Sequence, residues 1–78
     1  MKAYEVKKDQ AEIARGRVMM AVEGCPAAVE RITAELEMNG YNSTKCSDIG
    51  DKDGEVIEYF MIARCDKQDF MATYKAAK

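Results

Sequence analysis

A chain of 78 residues, 47% hydrophobic and 33% charged, has room for one domain and one modest core that buries only ~60 to 65% of the unfolded surface. One Pro and five Gly mark a globular rather than a disordered composition, and the complete lack of His removes the commonest general base and the commonest metal ligand. The net charge of −2 is unevenly spread: residues 1–20 carry five basic and three acidic groups, residues 21–58 three and nine, and residues 59–78 four and two, so a middle at −6 repels nucleic-acid phosphates and favours a basic surface as partner.

The longest apolar runs, residues 18–22 and 59–63, fall far short of the ~20 residues a bilayer span requires. The opening MKAYEVKKDQ lacks the apolar stretch of a secretory signal, and three cysteines at irregular spacing do not form a disulfide framework. The chain is therefore expected to be cytoplasmic, with reduced thiols and no membrane contact.

In chain order, residues 3–8 read as a short strand with Tyr4 and Val6 on one face and Glu5 and Lys7 on the other. Residues 9–14 (DQAEIA) fit either a hairpin connection or one turn of helix. Residues 15–24 form a second strand, with Val18, Met20 and Val22 on one face against Arg17, Met19, Ala21 and Glu23 on the other. Pro26 suits a first helical position and makes Cys25 the N-cap; Val29, Ile32 and Leu36 then give an apolar stripe, and Asn39-Gly40 a left-handed stop. Residues 42–49 read as a weak polar edge strand, and GDKDG at 50–54 as a reversing turn. Residues 55–64 form the most apolar strand, and Asp66 opens a last helix whose stripe is Phe70, Tyr74 and Ala77.

The order ββαββα predicts one α+β domain over residues 1–78: two layers, with a ferredoxin-like, antiparallel-dominated four-stranded sheet and both helices on one face. The strands at 15–24 and 55–64 are expected at its centre, parallel to one another, and the first strand is expected to form a hairpin with the second.

Three candidate sites emerge. The first is Cys25 with Cys65: on parallel neighbours both thiols would sit at one end of the sheet, ~5 Å apart, within disulfide or metal range. The ordinary alternative is that they are small buried fillers, and Cys46 carries still less signal. The second is the acidic set Asp48, Asp51, Asp53, Glu55 and Glu58, whose alternative is a solvated loop and helix face. Its GDKDGE core is not a calcium loop, because Ile49 and Phe60 fall at two obligatory carboxylate positions. The third is the open face of the sheet. With Ile57, Tyr59, Met61 and Ala63 placed under the helices, Met19, Phe60 and Ile62 form an uncovered apolar patch; the alternatives are a reversed assignment of faces or cover by the N-terminal segment.

The stretch VEGCPAAVERITAELEMNGYN, residues 22–42, resembles the first loop and helix of ACT-type amino-acid sensor domains, where a strand ends in a Gly/Pro turn before a helix closed by Gly. It is also similar to heavy-metal-associated domains, although Ala28 stands where that family has its second Cys. These resemblances imply a small-ligand or metal sensor working at the Cys25 and Cys65 junctions. The residues themselves favour a non-enzymatic protein-interaction module with no cofactor or resident metal, either homodimeric or bound to a partner with a basic surface. A phage- or plasmid-borne inhibitor of a host nucleic-acid-handling defence complex has this size and acidity.

Overall fold

The structure is a computed structural model and describes residues 1–7 and 15–78. Strand β1 (Lys2–Glu5) pairs antiparallel with β2 (Arg17–Gly24), which leads into helix α1 (Pro26–Met38). Strands β3 (Ser43–Ile49) and β4 (Val56–Ala63) follow, and a 3-10 turn (Arg64–Asp66) enters helix α2 (Lys67–Ala77). The four strands form one sheet in the order β1-β2-β4-β3, antiparallel throughout, and residues 9–14 lie outside the described residues. This is the two-layer α+β arrangement that the sequence predicts, with β1 in a hairpin register against β2.

One expectation about the sheet is overturned. The central strands β2 and β4 run antiparallel, with Arg17 opposite Ala63 and Gly24 opposite Val56. The reason lies in the connections. The crossover through α1 returns the chain in the direction of β2, and the tight turn after β3 then reverses it, so the strand inserted between β2 and β3 must oppose both.

Local chemistry fixes the ends of α1. Pro26 occupies the first turn and Cys25 is the extended N-cap residue, without a side-chain capping bond. At the other end Gly40 adopts φ 91°, and the N–H groups of Tyr41 and Gly40 bond to the carbonyls of Leu36 and Glu37 at 2.9 and 3.0 Å. Only a residue without Cβ takes that φ at little cost, and the two bonds satisfy carbonyls that the helix end would orphan. Asp66 precedes α2 without a side-chain capping bond, because the 3-10 turn already carries the chain into helical geometry.

The core lies between the helices and one sheet face. Val18, Met20 and Val22 of β2 and Phe60 and Ile62 of β4 meet Val29, Ile32 and Leu36 of α1 and Phe70 and Tyr74 of α2. Phe70 stands edge-on to both Phe60 and Tyr41, with ring centroids 5.3 and 5.5 Å apart. The helix stripes therefore fall where the 3.6-residue period puts them.

Candidate protein-docking face

Cross-strand partners share a face, so the register decides which side each row takes. Phe60 lies opposite Met20 and Ile62 opposite Val18, and both are buried beneath the helices, 0% and 4% exposed. The expected placement of Phe60 and Ile62 on the open face is thus reversed. Two apolar rows compete on β4, and composition alone cannot rank them. Pairing with the Val18, Met20 and Val22 row does, and the large ring of Phe60 fills the space against Phe70.

The open face instead carries Met19 opposite Met61, Ala21 opposite Tyr59, and Glu23 opposite Ile57, with Lys2 and Tyr4 of β1 beside Glu23 and Ala21. Met19 lies on this face as expected. Among the described residues, Tyr4, Met19, Tyr59, Met61 and Ala63 are half-buried on this face and Ala21 and Ile57 are buried between them, with neither helix over the face. Arg17 marks one end of the face, opposite Ala63, and Asp48 the other, opposite Ile57.

Glu23 is the residue that sequence reasoning missed. It is 1% exposed, yet it accepts a 2.7 Å hydrogen bond from the Tyr4 hydroxyl on Oε1 and a 2.6 Å bond from the backbone N–H of Asp51 on Oε2. The Asp51 amide first, then Tyr4 and the nearby Lys2 ammonium, hold its carboxyl below the usual carboxylate range. Burial and the same carboxylate push the Tyr4 phenol up. The turn reaches Glu23 because residue 50 lacks a side chain: a Cβ there would stand 2.8 Å from Cβ of Glu55 and 3.1 Å from Oε2 of Glu23. One signal was available in the sequence, since a carboxylate in the Met19 and Ala21 row, facing Lys2 and Tyr4 across a hairpin, requires partners.

The acidic set divides. Asp48, Asp51 and Asp53 are exposed and Glu55 half-buried, all on the β3–β4 hairpin, where Lys2 offsets Asp51 at 3.2 Å. Glu58 is opposite Ser47 and belongs to the helix side, where it accepts a hydrogen bond from the Ser43 hydroxyl. There it joins Glu30 and Glu37 in a shallow cleft of about 450 Å³ between α1 and β3. Lys45, at φ 65°, occupies the irregular stretch of β3 between Ser43 and Ser47 and pairs with Glu37 at 3.1 Å. The irregularity blunts this edge against further strand pairing.

The cysteine pair is not assembled. Antiparallel central strands put Cys25 beyond one end of β2 and Cys65 beyond the opposite end of β4, so the whole length of β2 lies between them, about 23 Å for its seven steps at ~3.3 Å. All three cysteines are free and exposed rather than core fillers. Among the described residues no group of three or more metal-ligating side chains comes together, and no helix is long and apolar enough to cross a membrane. No protein-family model, curated protein or solved structure matches the chain.

Proposed function

We propose that this chain is a small non-enzymatic protein-interaction module that docks through its open sheet face. One observation carries it: Met19, Tyr59 and Met61 lie side by side on the sheet surface that neither helix packs against, while the opposite surface already fills the core. Met and Tyr supply adaptable or rigid contact area with little charge to desolvate, which is the composition of interface centres. The exposed carboxylates of the hairpin, Asp48, Asp51 and Asp53, favour a basic partner surface and would speed its approach in a salt-sensitive manner. A basic groove that handles nucleic acid, such as that of a host defence complex, has the complementary sign.

The test is affinity capture from cells in which the protein acts, comparing the wild type with Met19→Glu/Met61→Glu and with Asp51→Lys/Asp53→Lys. A captured protein should be lost with the first variant, weakened in a salt-dependent way with the second, and retained by Lys75→Glu on the outer side of α2. A partner retained equally by all three would refute docking through this face.

A further inference from the structure

We infer that the occupant of the open face is a second copy of this chain, related by a twofold axis that lies in the face and crosses β4 near Tyr59 and Met61; the inference rests on the docking role proposed above. The face is self-complementary. Arg17 stands at one end and Asp48 at the other, six residues apart along β4 between Ala63 and Ile57, or about 20 Å at ~3.3 Å per residue. Both are exposed, and among the described residues neither is in an ion pair with an opposite charge. Midway between them the face is apolar, with Met19, Tyr59 and Met61.

A twofold axis through that middle exchanges the two ends, so each Arg17 meets the Asp48 of the other copy while the Met and Tyr side chains pack on their own symmetry mates. This is the isologous geometry that closes a dimer without leaving a surface for further growth. The shape fits as well. The molecule is a slab with extents of 32 × 25 × 17 Å, so a second copy can lie flat along its broad side. Two such slabs back to back bury the second face of each sheet, as aligned sheet packing does. The outer hairpin acids lie on the turn beyond Asp48: Asp51 is paired with Lys2 at 3.2 Å, and the exposed Asp53 stays available to a basic third partner.

The experiment is sedimentation and light scattering over a concentration series, on the wild type, Arg17→Asp, Asp48→Arg and the double exchange. A concentration-dependent dimer is expected, with each single reversal raising its Kd about ten-fold or more by placing like charges together, and the double exchange restoring it. A wild type that stays monomeric overturns the dimer. A dimer indifferent to the single reversals, or unrestored by the double exchange, overturns the twofold pairing. To separate these failures from that of the docking role, Met61→Cys is placed in a background where Cys25, Cys46 and Cys65 are Ser, and its maleimide labelling is timed. Rapid labelling of a monomeric protein removes the second copy but leaves the face open to another protein; slow labelling of a monomeric protein removes both.

Discussion

The Tyr4 hydroxyl donates to Oε1 of Glu23 at 2.7 Å while the Asp51 amide occupies the other oxygen of the same carboxylate, so one buried side chain ties the first strand and the β3–β4 turn to β2. β1 has only four residues and lies at the sheet edge, where backbone pairing alone holds little. Replacing Tyr4 by Phe keeps the ring and removes the donor to a charged acceptor. It should cost about 1.5 kcal/mol in urea unfolding. Tyr59→Phe, which gives up a 3.4 Å contact with exposed Asp48, should cost under about 0.5 kcal/mol. Equal losses for the two would mean that Glu23 does not anchor β1.

The elements were legible because their signals are local. Pro26, the Val29, Ile32 and Leu36 stripe and Gly40 define α1 without reference to anything else, and Gly50 to Gly54 announces its own reversal. Strand direction and face were not local. Whether β4 runs with or against β2 depends on which connection places it there, and whether Phe60 or Met61 points to the helices depends on register with Met20 and Met19. A single step of register exchanges the two rows, and β4 is apolar on both. The site errors follow from these two. Parallel strands would have joined Cys25 to Cys65, and the opposite face would have exposed Phe60 and Ile62.

That choice of face has a thermodynamic signature. Phe60 is fully buried against Phe70, so Phe60→Ala leaves a cavity in a small core and should cost about 3–5 kcal/mol, enough to unfold much of the population. Met61→Ala on the open side should cost about 1 kcal/mol or less in the isolated chain. Chemical denaturation of the two variants compares them directly. Comparable losses, or a larger one at Met61, would contradict the observed register.

Cysteine chemistry reports on strand direction independently. With Cys25 and Cys65 at opposite ends of the sheet, no rotamer change brings their sulfurs to bonding distance. Native protein should take up three maleimide labels per chain, and oxidation should give no intrachain link between Cys25 and Cys65 in a peptide map under non-reducing conditions. Recovery of that link from folded protein would require the central strands to be parallel.

Acid should unfold the protein through carboxylates that the fold holds ionised. Lys67 holds the Glu5 carboxyl below its ordinary range, the Asp51 amide does so for Glu23, and Lys45 for Glu37. In each case the folded pKa lies below the unfolded value near ~4.3, so the unfolded chain binds protons first as the pH falls. Stability contributed by these groups is therefore complete above about pH 5 and is lost as the pH drops through their folded values. Glu23→Gln removes one linked proton. Its amide also presents a donor where Tyr4 and the Asp51 amide both require an acceptor, so the neutral-pH plateau should fall. Urea midpoints measured from pH 7 to pH 3 should show this lower plateau together with a shallower acid limb. An acid limb as steep as that of the wild type would exclude Glu23 from the acid response and leave it to Glu5 and Glu37.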